Sequence, residues 1–405
     1  MPAHVPLYQE VEEQIKRITA QHGLRLTAVR RLTLLVTGII AAKSGVISQV
    51  AAELFALGLT RATSAESIAR RLRRALGDTR LAPQTCYAPV LSQVIDWPAV
   101  LQGGSRVVLA LDESSKAGDV HLLRVSLPYR GGSLPLAWAV WEQHRPLPEG
   151  QYWAMVDAVL AQVAQLLPAG LEVIVVADRA YDIPAFVDRL AAYGWHWVVR
   201  CKANGTLRFR DHGGREHALR EVVRQQVPGP GRCWKGRGWV FKDAGWRQAS
   251  VVAVWGQGYK ERLVLLTDLP PRWRVLRVYR RRFWIEPGFR NDKKKGWPWE
   301  DSQVPGLAHQ ERLLLALAWA SLVMLCLGVQ EAQARLTARL ARPPRRPQHA
   351  RESLFRLGLQ VARRWLYRQI ELTLTWRLPD IDAGSWTEQW QRAHGHPRLL
   401  QTVRP

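Results

Sequence analysis

The sequence predicts an α/β protein in which a core of alternating strands and helices lies between two helical regions. Residues 5–100 have a helical rhythm of apolar residues, and short strands and helices alternate from Arg106 to Arg200. The apolar stretch Leu307–Leu327 predicts a buried helix that covers the sheet. With 405 residues, 47% hydrophobic and 23% charged, the chain is long enough for two or three domains with a sizeable core.

The balance of charge points to a polyanionic partner. The chain has 58 Lys and Arg against 34 Asp and Glu, a net charge of +24. Nucleic acid is the simplest such partner, although ribosomal or membrane-surface binding would require the same sign. Nineteen Trp residues are many. Most are expected in the core, but aromatic rings among basic residues also suit stacking on bases.

Cysteine usage and hydropathy suggest a cytoplasmic protein that does not span a membrane. The four cysteines are scattered without a CxxC pair, which disfavours a zinc site or a disulfide framework and predicts free thiols. Residues 1–20 are polar and charged, unlike a secretion signal. The apolar run Leu313–Val329 has seventeen residues and adjoins Glu311 and Arg312, so a buried helix is expected rather than a membrane span.

The N-terminal region, residues 1–103, has the outline of a helix-turn-helix. A helix at Ile47–Leu57 is followed by a turn at Gly58–Thr60 and by a basic helix at Glu66–Leu76, with Ser64 as N-cap. In a DNA-binding helix-turn-helix the second helix enters the major groove; the alternative is a helical bundle with a basic surface. The predicted DNA-binding residues are Arg70, Arg71, Arg73 and Arg74.

The core, residues 104–203, places an aspartate after each of two apolar strands. Arg106–Leu111 is followed by Asp112, and Glu172–Ala177 is followed by Asp178. Two strands joined by a glycine turn lie between them, and a helix and a fifth strand complete the region. This order is that of the ribonuclease-H-like fold. Ligands bind beyond the carboxyl ends of strands in open sheets, although one such aspartate alone is often a turn residue or helix cap.

The remaining regions are a predicted β-rich insertion at 204–269, a second part of the core at 270–335 and a basic helical region at 336–405. The insertion has short strands at Ser250–Trp255 and Arg262–Thr267. It also contains four tryptophans that we expect mainly to pack the small sheet, with stacking on a base as the alternative: Trp234, Trp239, Trp246 and Trp255. In the last region, Pro343–Pro347 predicts a linker and 350–376 a helix.

The stretch from Tyr279 to Lys293 places one carboxylate among cations. Tyr279, Arg282, Glu286 and Lys293 have the spacing Y-x2-R-x3-E-x6-K, which falls on one stripe of an α-helix. Glu286 alone would bind a hard divalent cation poorly, but with two aspartates it could complete an all-oxygen site of the kind Mg²⁺ prefers. Pro287 directly follows Glu286 and predicts a kink. The alternative is an amphipathic basic helix with one ion-paired glutamate and no metal site.

These motifs resemble those of bacterial insertion-sequence transposases of the DDE type, in the group typified by insertion sequence four. The resemblance covers roughly residues 105–330 and includes the full Y-R-E-K pattern, L-A-L-D-E-S-S around Asp112 and V-V-A-D-R-A-Y-D around Asp178. It implies that Asp112, Asp178 and Glu286 are catalytic metal ligands for two Mg²⁺ ions, with Mn²⁺ as a possible substitute. It implies that Tyr279, Arg282 and Lys293 contact DNA phosphates.

The resemblance also implies a partner and a reaction. The partner is double-stranded DNA, held by a homodimer, and the reaction is cut-and-paste transposition through end nicking, a hairpin and strand transfer. Two alternatives stay open at this point. One is another nuclease of the same fold, such as a junction resolvase, and the other is a transposase-derived DNA-binding protein without activity.

Overall fold

The computed structural model describes residues 5–20, 23–101, 104–116, 118–202, 205–341, 352–368 and 373–379, with side chains left out at 336–341. The predicted linker Pro343–Pro347 lies outside the described residues. The described chain forms two compact units. Unit 1 comprises residues 5–101, 113–168 and 286–379, and unit 2 comprises residues 104–112 and 169–285. The five-part division predicted from the sequence stays a prediction.

Unit 1 begins with helices, as predicted. Ser64 caps α4 by accepting a hydrogen bond from the Ser67 backbone N–H at 3.3 Å, which confirms the predicted start of the basic helix. Ile68 and Leu72 are buried, and the four arginines of α4 are exposed on its other side. The helices are α1 (Pro6–Thr19), α2 (Leu26–Ala42), α3 (Ile47–Ala56), α4 (Ala65–Leu76), α5 (Pro83–Cys86), α6 (Ala88–Val94) and α7 (Trp97–Val100).

The second part of unit 1 is a hairpin followed by helices. Arg130 and Gly131 have positive φ angles of 52° and 81°, as a tight hairpin turn requires. The prediction of a helix up to Trp376 is wrong for residues 373–376, which are not helical, and Leu378 bridges to Ile95. The elements are β2 (Val120–Tyr129), β3 (Gly132–Glu142), α8 (Gln151–Leu166), α13 (Leu307–Ala341) and α14 (Leu354–Arg368).

Helix α13 is the core helix of unit 1. Among the described helices it is the only single helix that is long and apolar enough to cross a membrane. The mean hydropathy of its most apolar window is 2.2. However, 94% of that window is buried inside the protein, as the sequence predicted for a buried helix. The helix pair α2 and α3 passes the same test only together, and the two are bent by 90°.

The strands form a ten-stranded, mostly antiparallel sheet in the order β3-β2-β1-β4-β5-β10-β9-β8-β6-β7. The pairs β1–β4 and β4–β5 are parallel. Along the rest of the sheet, β5-β10-β9-β8-β6-β7, each strand is antiparallel to its neighbour. Unit 2 contributes β1 (Arg106–Lys116) as far as Asp112, β4 (Glu172–Ala177), β5 (His196–Arg200), β6 (Arg208–Arg210), β7 (Glu216–Ala218), β8 (Cys233–Val240), β9 (Arg247–Val254) and β10 (Leu263–Thr267). Its helices are α9 (Pro184–Ala192), α10 (Leu219–Gln226) and α11 (Arg274–Arg280). The arrangement is mixed α/β, and its ribonuclease-H-like character stays a prediction.

Strand β1 is longer than predicted. The polar residues after Leu111 suggest the end of a strand, but β1 continues to Lys116, so Asp112 lies within the strand rather than after it. In the second half of β1, Lys116 is buried because its ammonium donates to the Ser302 carbonyl at 2.5 Å and to Asp119 at 2.8 Å. A charged residue can occupy a buried strand position when its donors are satisfied in this way.

The β-rich region extends the sheet of unit 2. Strand β10 pairs with β5 from Leu265↔Arg200 to Thr267↔Val198, and β9 and β8 continue outward from it. The four tryptophans predicted mainly as core residues are only half-buried. Three of their rings lie beneath guanidinium groups: Arg210 lies 4.6 Å from Trp246 and 5.3 Å from Trp239, and Arg262 lies 4.2 Å from Trp255.

Helices α13 and α14 approach each other closely at two glycines. A Cβ on Gly328 would lie 2.0 Å from the Leu354 carbonyl oxygen, and one on Gly358 would lie 1.9 Å from the Met324 carbonyl oxygen. Each glycine therefore meets the backbone of the other helix. No side chain larger than hydrogen fits there unless the two helices move apart.

We expect Gly328→Ala and Gly358→Ala each to lower the free energy of unfolding by about 1–3 kcal/mol, because the added methyl group forces the helices apart. Alanine would by itself favour a helix by about 1 kcal/mol relative to glycine, so a loss identifies the steric conflict. Urea unfolding measures it. Gly229→Ala is the control, since no atom lies within 4 Å of its added Cβ. Unchanged stability in both helix variants would contradict the close packing.

Candidate active site

Two aspartates of unit 2 follow paired positions on two neighbouring parallel strands. The last pairs between β1 and β4 include Leu109↔Val175 and Ala110↔Val176. Continuing that register by two residues on each strand places Asp112 opposite Asp178. Neighbouring strands are about 4.8 Å apart, and residues two apart share a face of the sheet. The register therefore supports adjacent placement of these two predicted residues, and both of their charges act on the Tyr279 phenol.

Arg282 binds the first of these aspartates. Its Nη2 donates to Asp112 Oδ2 at 2.8 Å, and both side chains are largely buried, with 13% and 12% of their surfaces exposed. A bond between ionised groups in this partly dry setting is stronger than one at the surface. The sequence predicted Arg282 as a phosphate contact, and the structure shows it as the neighbour of a predicted metal ligand.

Tyr279 is the buried member of the same group. Its side chain is 1% exposed, and burial raises the pKa of its hydroxyl to about 12. The charges of Arg282 and Arg200 act to lower this pKa, and those of Asp178 and Asp112 act to raise it. The phenol therefore lies within electrostatic reach of both aspartates and both arginines, and it stays protonated at neutral pH.

Two residues near this group were missed in the sequence. Arg200 ends β5 and is paired with Glu261, and Asp182 accepts a hydrogen bond from the Lys202 backbone N–H at 3.2 Å. Burial raises the pKa of Asp182, and the charge of Asp178 adds to that effect. The rule that ligands bind beyond strand ends could have found both, because Arg200 is the last residue of β5 and Asp182 lies in the segment that follows β4.

The helix that carries the Y-R-E-K pattern is not one regular α-helix. Helix α11 is followed by a 3₁₀ turn at Arg281–Trp284, by helix α12 (Ile285–Arg290) and by a π-helical turn at Asn291–Lys295. The predicted single stripe is therefore wrong in detail. Pro287 falls in the first turn of α12, where its missing N–H has little effect, so the expected break precedes Glu286 instead of following it.

The last two members of the pattern belong to unit 1. Glu286 is an exposed residue of α12. Lys293 pairs with Glu300 at 2.8 Å, and Lys294 pairs with the same carboxylate at 3.3 Å. Lys293 was predicted to contact phosphate, but its ammonium group has a protein partner here. Its role in DNA binding stays a prediction.

The donor set suits a hard cation without forming a complete centre. Asp112 and Asp178 supply carboxylate oxygens, the donors that Mg²⁺ and Mn²⁺ favour. Within the described ranges, no group of three or more His, Cys, Asp or Glu side chains is arranged to hold a metal ion. That Glu286 joins the two aspartates around a pair of ions stays a prediction.

One comparison with known proteins gives a match. The family model described as transposase DDE domain matches residues 154–323. The matched range includes Asp178, Tyr279, Arg282 and Glu286, whereas Asp112 precedes it. No curated protein matches the chain. The match supports a likeness to transposases of the DDE class.

We expect the Tyr279 phenol to ionise near pH 12 instead of near pH 10. Burial also raises the pKa of Tyr8, Tyr87 and Tyr367, so absorbance titration should show one late-titrating phenol fewer in Tyr279→Phe than in the wild-type protein. The raised pKa contributes stability that is fully present below about pH 10 and is lost as the pH rises toward 12. Tyr193→Phe is the control, since that ring is exposed. An equal number of late-titrating phenols in Tyr279→Phe and in the wild-type protein would contradict the assignment.

Proposed function

We propose that the protein is a DNA transposase of the insertion-sequence-four type, which cuts an insertion sequence from DNA and joins it elsewhere. The observation that carries the proposal is the β1–β4 register, which supports adjacent placement of Asp112 and Asp178. The match to the transposase DDE domain gives these aspartates their chemical context.

The proposed site works by holding charge next to a phosphodiester. Asp112, Asp178 and Glu286 would hold two Mg²⁺ ions, or Mn²⁺ in their place, and such ions activate an attacking oxygen and stabilise a leaving one. Arg282 orients Asp112 through their ion pair and presents positive charge to a phosphate. Tyr279 keeps its proton and donates it as a hydrogen bond to a phosphate oxygen.

The proposed reaction is a series of exchanges at phosphorus, each of which breaks one P–O bond and forms another. Water first cleaves one strand at the element's end and leaves a 3′-hydroxyl. That hydroxyl attacks the opposite strand to form a hairpin, and water reopens the hairpin. The freed 3′-hydroxyl then attacks the target DNA. One set of carboxylates serves every step, because each step exchanges an oxygen at a phosphodiester.

The proposed partners follow from charge and from the resemblance. Inverted-repeat ends and target DNA would bind the basic surfaces of a homodimer in the bacterial cytoplasm, close to the nucleoid. Helix α4 would contact the ends through Arg70, Arg71, Arg73 and Arg74, and Lys293 would bind a phosphate after leaving Glu300. These cations would bind the phosphates of the DNA backbone and release counterions. DNA affinity should therefore fall steeply as the salt concentration rises.

We expect Asp112→Asn, Asp178→Asn and Glu286→Gln each to reduce Mg²⁺-dependent nicking of the element's ends by about 100-fold or more. Each change removes a charge worth several kcal/mol to metal binding or to the transition state. Strand-cleavage assays measure nicking, and gel-shift assays measure end binding, which should stay within about twofold because phosphate contacts supply it.

The controls are Asp243→Asn and Glu221→Gln, which neutralise exposed carboxylates of unit 2 and should cleave normally. Full cleavage by Asp112→Asn, Asp178→Asn or Glu286→Gln would refute the catalytic assignment of the substituted residue. A wild-type protein that binds the ends but never nicks them with Mg²⁺ or Mn²⁺ would instead be the inactive DNA-binding alternative. Cleavage of branched DNA without regard to the ends would identify another nuclease.

We expect Arg70→Gln/Arg71→Gln/Arg74→Gln to weaken end binding by at least about tenfold, because three exposed cations leave one helix face. The slope of log affinity against log salt should shrink by roughly 0.9 for each lost phosphate contact. The triple variant Arg224→Gln/Arg272→Gln/Lys260→Gln removes the same charge from exposed sites of unit 2. Equal weakening in both triple variants would exclude a particular role for α4.

A further inference from the structure

Unit 1 contains a pocket of about 630 Å³ that the proposed reaction does not use. Its walls come from the β2–β3 turn, from α12 and the π-helical turn after it, from α14 and from the end of α2. Among the charged residues of its lining, cations outnumber acidic residues by six to one, and the one acidic residue is Asp292. The cations are Lys43, Arg124, Arg130, Arg290, Lys295 and Arg356.

Four of the six cations that line the pocket have no ion pair within the described residues. The side chains of Lys43, Arg290, Lys295 and Arg356 are exposed and make no ion pair within the described residues. The one lining carboxylate, Asp292, is buried and already paired with Arg124. The pocket therefore has an excess of positive charge in a concave site, where opposing cations act on the same ligand.

The inner wall of the pocket has donors without acceptors. Arg124 is 3% exposed, and its Nη1 donates to Asp292 while its guanidinium lies 4.1 Å from the Phe289 ring centre. Among the described residues its Nε and Nη2 have no hydrogen-bond partner, and neither has the hydroxyl of buried Ser133. An unsatisfied buried donor costs about 1–3 kcal/mol, so a ligand that supplies acceptors here gains what the protein alone lacks.

Gly288 lets α12 pack closely against this inner wall. A Cβ at Gly288 would lie 2.3 Å from Ser133 Oγ and 3.0 Å from Arg124 Nη2. The helix can approach these two unsatisfied polar groups only because the residue has no side chain. The groups thus meet at one point of the pocket lining, where a single acceptor group could serve both.

Multiple cations, an arginine fork and a hydroxyl donor suit a phosphate group better than a single carboxylate. Four lining residues, Pro287, Gly288, Arg290 and Asn291, directly follow Glu286 along the chain. A phosphate bound to them is held by the same segment that carries the predicted catalytic glutamate. The source of that phosphate should therefore be the nucleic acid on which the site acts.

We propose that this pocket binds a backbone phosphate of the DNA, an anchor separate from the phosphodiester that is cleaved. The inference rests on the proposed function for its source of phosphate. Arg124 and Ser133 bind the phosphate oxygens at the inner wall, and Lys43, Lys295 and Arg356 neutralise its charge at the mouth. Arg290 adds a cation from α12, so that bound DNA holds this helix in place.

The first test measures the affinity of the full chain for a DNA duplex over a series of salt concentrations without divalent metal. Lys43→Gln/Arg356→Gln should weaken binding by about tenfold and reduce the salt slope by roughly 0.9. The control Lys260→Gln/Arg224→Gln removes one lysine and one arginine from exposed sites of unit 2. A loss no larger than in the control would overturn the proposal.

The second test removes a donor without changing charge. Ser133→Ala deletes a buried hydroxyl that has no partner, so folding should not suffer. DNA affinity should fall by about fivefold at an unchanged salt slope, and inorganic phosphate at constant ionic strength should displace DNA from wild type more effectively than from the variant. Unchanged DNA affinity in Ser133→Ala would overturn the assignment. So would inorganic phosphate that stabilises the protein against unfolding but does not displace DNA.

These readouts separate the two proposals. Loss of DNA affinity in the pocket variants together with full cleavage by Asp112→Asn would support the pocket and refute the catalytic assignment. Abolished cleavage in Asp112→Asn with pocket variants that bind DNA normally would refute the pocket alone.

Discussion

The parallel pairing of β1 with β4 is the constraint on which the candidate site depends. Two strands far apart in sequence must meet in one register for Asp112 and Asp178 to lie side by side, and the ladder from Arg106↔Glu172 to Ala110↔Val176 sets that register. A shift by one residue would turn one carboxylate to the other face of the sheet. The buried runs Val107–Leu111 and Val173–Ala177 resist such a shift, because both faces of these strands are covered.

Around that pair, unit 2 balances negative charge with positive charge. Arg282 holds Asp112 by a largely buried ion pair, and Tyr279 places a neutral donor beside both aspartates. Two carboxylates at neighbouring strand positions repel each other unless a cation lies close. The arginine therefore stabilises the fold around the carboxylates in the same position from which it can act on a phosphate.

Local features were predictable from the sequence, whereas long-range ones were not. Strand β4 and the cap of α4 agree with prediction because a continuous apolar run and a serine before a helix are signals within a few residues. The length of β1 was not predictable, since one of the two acceptors that satisfy the buried Lys116 ammonium is the Ser302 carbonyl, nearly two hundred positions away. The pairing of Arg124 with Asp292 was likewise invisible, although an arginine within the apolar strand H-L-L-R-V-S-L hints at a buried partner.

The β-rich region shows one further consequence of continuing the sheet. Its outermost strands, β6 and β7, have three residues each, and Glu216 of β7 pairs with Lys242 at 2.6 Å. A short, charged border offers few free backbone groups to another chain. The sheet can therefore extend outward from β5 without presenting a long free edge that would promote aggregation.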